Sequence, residues 1–135
     1  MSCVLELQKG EEGEIKRKAE EIFRKRSEKL PKDSSAGSFF QNPVVKNPEL
    51  VAKFEKESGC VCRDERIPAG WLIDQVSLRG KNMGGVMVSE KHANFVVNLG
   101  EGKATDIVML VSYIKQQVRD RLGVQLQEEI QYVGF

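Results

Sequence analysis

The 135-residue sequence predicts an α+β fold, a single compact domain with a short mixed sheet packed against helices. Three observations lead there. Apolar residues recur at helical spacing in several segments, compact apolar runs of strand length lie among them, and the two kinds intermix without the regular βαβ repeat of a doubly wound sheet. Hydrophobic residues at 40% and charged residues at 30% are those of an ordinary globular chain, which excludes disorder and membrane-spanning segments. The length suffices for one core without metal or disulfide staples.

The elements follow in order. Val4 to Gln8 alternates apolar and polar residues and reads as a short strand, or the stub of one, before the break at Lys9-Gly10. From Glu11 to about Lys29, Ile15, Ala19, Ile22 and Phe23 fall on one helical face, with acidic residues in the first turn where the helix dipole favours them. Leu30-Pro31 ends that helix, and polar Lys32 to Ala36 leads to a short strand expected over Ser38 to Gln41. Pro48 opens a second helix through Phe54, and Ser58 to Arg66 is a polar connection without periodicity. Pro68 opens a third helix through about Val76, with Trp71, Leu72 and Gln75 sharing a face and Arg79-Gly80 closing it.

Met83 to Val88 and Asn94 to Leu99 are expected as two sheet strands joined by the polar Ser89 to His92. Thr105 is the expected N-cap of the last helix, in which Ile107, Leu110, Val111, Ile114, Val118 and Leu122 recur until Gly123 stops it. Val124 to Val133 reads as a final strand. Val124, Leu126, Ile130 and Tyr132 share one parity with Glu128, so Glu129 faces away from the core.

Charge and cysteine usage narrow the function classes. The net charge is +1, although Lys16 to Lys32 holds eight basic side chains against three acidic ones, an excess that reads as a solvated face with some capacity to attract anions. Near-neutral overall charge and few aromatics on offer argue against a nucleic-acid-binding domain. Cys3, Cys60 and Cys62 form an odd set, and with the single histidine, His92, the Cys60/Cys62 pair reaches three soft ligands where a structural zinc needs four. No metal site is expected. The opening residues have neither a basic n-region nor a long apolar core, so a cytoplasmic location is the expectation.

The candidate chemistry sits in Ser35-Ala36-Gly37-Ser38-Phe39-Phe40-Gln41-Asn42-Pro43, where a small-residue turn delivers a hydroxyl and an amide into a segment otherwise built for burial. Locally, Ser38 reads as a turn hydroxyl. The Gly-x-Ser-x-Gly elbow of hydrolases is absent, as are the Gly-x-Gly-x-x-Gly and Walker patterns. Asn42 before Pro43 reads equally as a turn former or as a donor to phosphate oxygens, and His92 as an exposed histidine.

Taken with Pro68-Ala69-Gly70-Trp71-Leu72-Ile73-Asp74-Gln75, Gly84-Gly85, Ser89-Glu90-Lys91-His92-Ala93-Asn94 and the closing Gln127-Glu128-Glu129-Ile130-Gln131-Tyr132-Val133-Gly134, that stretch resembles the C-terminal, substrate-binding domain of the UDP-N-acetylenolpyruvoylglucosamine reductase (MurB) flavoenzymes of peptidoglycan synthesis. The resemblance runs in order along nearly the whole chain. It implies a bacterial, cytoplasmic reaction in which FAD, recharged by NADPH, delivers hydride to C3 of UDP-N-acetylglucosamine enolpyruvate and a serine, here Ser38, protonates C2. It implies that Glu129 assists protonation through the substrate carboxylate, with Glu128 as its rival. Asn42, Lys29 and His92 would contact substrate. Residues 1–10 would be the remnant of a strand or linker from a missing FAD-binding domain and 11–135 the substrate-binding domain, inactive alone because the flavin cradle and a catalytic arginine lie in the missing part. A stand-alone nucleotide-sugar or anion-binding module without chemistry is the alternative.

Overall fold

The computed structural model describes residues 2–134. The chain divides into two compact units, one ending at Leu30 and one starting at Pro31. The first unit holds α1 (Glu12–Lys29), which begins and ends close to where the helical period predicts, with Glu12 and Glu14 in its first turn and Arg26 and Lys29 in its last. None of its residues is buried, so the Ile15, Ile22 and Phe23 face is exposed within that unit. The strand expected over Val4 to Gln8 does not form: these residues are exposed and irregular, because a strand needs a hydrogen-bonded neighbour and none of the described segments pairs with them.

The second unit is built from β1 (Ser34–Ser38), α2 (Pro48–Ser58), α3 (Ala69–Gln75), β2 (Asn82–Met83), β3 (Val86–Val88), β4 (Phe95–Asn98) and α4 (Ala104–Leu122). The four strands form one sheet in the order β1-β4-β3-β2, with each of the three pairings antiparallel. Helix α4 packs on β2, β3 and α3 through buried Leu110, Val111, Ile114 and Val118. With Phe40, Ile67, Leu72, Ile73, Val86, Val88 and Leu126 they make one core, and the α+β class stands.

Several boundaries move, each for a local reason. Helix α2 starts at Pro48 and is capped by Asn47, whose Oδ1 accepts from the Glu49 and Leu50 amides at 3.0 and 3.3 Å; Gly59 ends it in the left-handed region at φ 68°. The predicted strand Met83 to Val88 is two strands, since Gly84-Gly85 turns the chain into a hairpin. Backbone closeness requires that turn: a Cβ on Gly85 would lie 2.5 Å from the Glu101 carbonyl carbon and 2.6 Å from Gly102 Cα. Helix α4 is entered at Lys103, not at the predicted Thr105, because Asp106 reaches back to accept the Lys103 N–H at 3.0 Å and the Gly85 N–H at 3.2 Å. These two bonds hold its carboxyl below the usual range.

The largest differences flank the site. The strand expected at Ser38 to Gln41 runs instead over Ser34–Ser38, in residues whose polarity suggests a flexible tether; pairing with β4 supplies what their side chains do not. The expected final strand Val124 to Val133 reduces to one antiparallel bridge, Phe40 with Glu128, flanked by Gln41 N–H to Gln127 C=O and Glu129 N–H to Phe39 C=O, both 2.9 Å. Its parity holds: Val124 and Leu126 are buried, Glu128 and Ile130 half-buried, Gln125, Gln127 and Glu129 exposed. Tyr132, expected on the inward face, is exposed.

Candidate functional site

Ser38 is aimed by a fault in β1. Ser35 pairs with Val97 and Ser38 with Phe95, so three steps on β1 answer two on β4 and one extra residue is accommodated, with Gly37 at φ 86°. This is a β-bulge, a device that redirects the side chains beyond it. The turn read at Ala36-Gly37-Ser38 is therefore a bulge within a strand.

The next two residues are clamped from β4 and the preceding connection. Phe39 N–H donates to the Asn94 carbonyl at 2.7 Å, and the buried Asn94 side chain brackets Phe40: its Oδ1 accepts the Phe40 N–H at 2.9 Å and its Nδ2 donates to the Phe40 carbonyl at 2.8 Å. Phe39 and Phe40 are 3% and 1% exposed, so these backbone groups have no solvent to turn to. Ser38, one residue earlier, is exposed.

Beside it opens a cavity of about 320 Å³ lined by Ser38, Asn42, Asp74, Arg79, His92 and Asn94, with Gly70 and Trp71 in its wall. Asn42 Oδ1 accepts the Ala69 N–H at 3.0 Å at the start of α3, which turns its Nδ2, without a protein partner among the described residues, into the available donor. Asp74 grips Arg79 through a two-point ion pair, Nε to Oδ1 and Nη2 to Oδ2, and Arg79 Nη1 donates to the Glu90 carbonyl at 2.7 Å. That pairing holds the guanidinium even more firmly protonated than usual. His92 Nδ1 accepts the Asn94 N–H at 3.2 Å, which selects the tautomer with its proton on Nε2. Burial, then the charge of Arg79, push His92 below the usual imidazole pKa, while Asp74 opposes them. Trp71, read from sequence as needing an indole partner, donates to Glu57 at 3.1 Å and packs edge-on against Phe54.

Of the five residues singled out in the sequence, Ser38, Asn42 and His92 share this cavity. Glu129 does not line it; its backbone pairs with Phe39 and its side chain is exposed. The rival Glu128 is taken by Lys115, whose Nζ lies 2.9 and 3.0 Å from its two carboxylate oxygens. Lys29 is an exposed residue in the last turn of α1, within the first unit. Asp74, Arg79 and Asn94 were not singled out; only the Asp74/Arg79 spacing around a helix end offered a signal. No hydrogen bond joins Ser38 to His92 among the described residues, so a serine–histidine nucleophile is not assembled. A larger cavity of about 470 Å³ lies along Phe39, Val86, Val96, Ile107, Ile130 and Tyr132 and is mainly apolar. The cysteines are free, and among the described residues no group of three or more His, Cys, Asp or Glu can hold a metal. Nor is any described helix long and apolar enough to cross a membrane.

An exposed hydroxyl at a strand bulge thus shares one cavity with an arginine, an imidazole and an amide donor on an α+β scaffold. The sequence signature of the UDP-N-acetylenolpyruvoylglucosamine reductase C-terminal domain matches residues 29–133. The chain belongs to that family. It is 37% identical over 135 residues to the UDP-N-acetylenolpyruvoylglucosamine reductase of Solibacter usitatus (strain Ellin6076), covering 98% of this chain and 43% of that protein. It is 38% identical over 122 residues to the Vibrio cholerae El Tor Inaba enzyme, covering 81% and 33%. The crystal structure of UDP-N-acetylenolpyruvylglucosamine reductase (MurB) from Thermus caldophilus superposes with a TM-score of 0.64 at 32% identity, over 93% of this chain and 37% of that one. The chain thus spans well under half the length of these relatives.

Proposed function

We propose that this chain is the substrate-binding part of a reductase that converts UDP-N-acetylglucosamine enolpyruvate to UDP-N-acetylmuramate in peptidoglycan synthesis. The observation that carries the reading is the gathering of Ser38, Asn42, His92 and Arg79 around one cavity, three of them residues the family motifs point to. Asn42 Nδ2 and the remaining Arg79 donors meet the anionic part of the substrate, and Ser38 gives its hydroxyl proton to C2 of the enolpyruvyl group as C3 gains hydride. A serine hydroxyl is a very weak acid, so it serves only a strongly basic carbon centre, and a carbanion or enolate at C2 is one. Glu129 assists protonation through the substrate carboxylate.

FAD and NADPH enter this reading as the redox partners of the whole enzyme. The single consecutive glycine pair, Gly84-Gly85, packs on the Asp106 carboxylate and the Glu101-Gly102 backbone, so it holds protein where a phosphate cradle holds ligand. In this reading a preceding domain would hold the flavin, with residues 1–10 as the connection to it.

The test is Ser38→Ala in the full-length protein, followed by stopped flow in both half-reactions. Flavin reduction by NADPH is expected to stay near normal, and reoxidation by the enolpyruvyl substrate to slow by about a hundredfold to ten-thousandfold. Equal losses in both would refute the assignment.

A further inference from the structure

The cavity beside Ser38 has an electrostatic peculiarity. Arg79 is the one Lys or Arg side chain that lines it among the described residues, and its charge is met on the spot by Asp74, which lines the same cavity. The pair contributes hydrogen-bond donors but little net positive charge. Three donors of Arg79 are already committed, two to Asp74 and one to the Glu90 carbonyl. An anion entering here finds donors in Asn42 and the rest of Arg79, and it also finds the Asp74 carboxylate. The remaining group able to make the cavity cationic is His92.

We infer that His92 takes up a proton when an anionic ligand occupies this cavity, so that the site binds its anion as an anion plus a proton. This rests on the substrate-binding reading and adds to it the residue that sets the charge balance. The geometry carries it. His92 Nδ1 is held by the Asn94 N–H, which leaves the ring's Nε2 as the donor in the neutral form. Protonation at Nδ1 turns that acceptor into a donor and costs this 3.2 Å bond, a cost the charge of a bound anion must outweigh. The ring is packed against Phe95 at 4.8 Å between centroids, and its Cε1 lies where a Cβ on Gly70 would be 3.3 Å away, so it is hemmed in on two sides and cannot swing clear of an incoming charge.

The charged neighbours on every side fix the direction. Asp74 on α3 favours the imidazolium, and Arg79 on the following connection disfavours it together with burial. Glu90 and Lys91, next to His92 in sequence, are exposed and screened; the Glu90 carboxylate lies toward Gly80. In the empty cavity burial and Arg79 together favour the neutral ring. An anion adds a second negative neighbour to Asp74, which raises the proton affinity of the ring. Affinity is then greatest below the free-state pKa, falls as pH rises through it, and levels off above the bound-state pKa.

Because His92 is the sole histidine, its ring signals can be followed in the unmodified chain without assignment. The probe is UDP-N-acetylglucosamine, whose diphosphate diester does not change charge between about pH 5 and 8, the interval in which histidine titrates. Proton NMR titration of His92 with and without saturating probe should show its pKa rise by about one unit on binding, equivalent to about a tenfold loss of affinity across the interval. Calorimetry in two buffers of different ionisation enthalpy should report the matching proton uptake, and His92→Gln, neutral throughout, should flatten the pH dependence. Binding with an unchanged His92 pKa and no proton uptake overturns this inference and leaves the substrate-binding reading standing. No binding at any pH overturns both.

Discussion

Replacing Asn94 with alanine should dismantle the support of the site. The Asn94 amide satisfies both backbone groups of Phe40, at 2.9 and 2.8 Å, in a place where Phe40 is 1% and Asn94 5% exposed. Truncation strands one N–H and one C=O. Each buried group left unmade costs about 1–3 kcal/mol, so the pair costs about 2–6 kcal/mol, less whatever a water recovers. With a urea slope of about 1–2 kcal/mol/M for a small domain, the midpoint should fall by about 1 M or more. Asn94→Asp is the sharper variant. It keeps the shape and the acceptor but presents a second oxygen to the Phe40 carbonyl. Its folded-state pKa is thus raised, so the variant should be strongly destabilised at neutral pH and regain stability as pH falls and the protonated carboxyl can donate. Urea melts across pH, with amide exchange at Phe40, test both. A loss below about 1 kcal/mol for Asn94→Ala with unchanged Phe40 protection would show that the bracket does not hold the segment.

Three further outcomes follow from the same coordinates. Gly85→Ala should destabilise by about 1–3 kcal/mol or more, because its Cβ meets backbone that cannot rotate away, whereas Gly37→Ala, with open space around it but φ at 86°, should cost about 1–2 kcal/mol; thermal melts compare them. Lys115→Met should cost about 1–2 kcal/mol, between the exposed and buried limits for ion pairs, and should speed amide exchange at Gln41 and Glu129, whose pairing the Glu128 clasp supports; unchanged exchange at both would sink the idea. The carboxyl of Asp106 is held low by two backbone donors, so its contribution to stability should be full above the ordinary carboxylate range and disappear as pH falls through its folded-state pKa. Urea midpoints at descending pH should show this acid-side loss in the native chain and not in Asp106→Asn.

Helices were legible in the sequence because their signals are local: Pro48 at an entrance, Gly123 at an exit, and apolar spacing between. Of the strands, the apolar runs of β3 and β4 were legible, whereas Ser34–Ser38 was not, because what makes it a strand is β4, far along the chain, and what stops Val124 to Val133 from becoming one is that only Phe40 offers it a bridge. Lys103 replaced Thr105 as helix entrance because Asp106 is shared with the Gly84-Gly85 turn, a contact no one-dimensional pattern contains. The site followed the same division. Ser38, Asn42 and His92 were singled out within motifs, whereas Asp74 and Arg79, read only as part of a helix and its end, joined the site when α3, the residues after it and the connection before β4 closed around one space.

The bulge in β1 makes the length of the segment before Ser38 a coded quantity. Side chains on a strand alternate between two faces, and the one surplus residue between Ser35 and Ser38 is what shifts the alternation for everything that follows. Ser38 takes its face of the sheet only because of that shift. Substitutions among Ser34, Ser35 and Ala36 therefore leave the phase intact, while deletion of a single residue there inverts it and turns the Ser38 hydroxyl to the opposite face of the sheet. Loss of one residue is to this site what a frameshift is to a reading frame, and a deletion of Ala36 that left the Ser38 cavity and the melting temperature unchanged would contradict it.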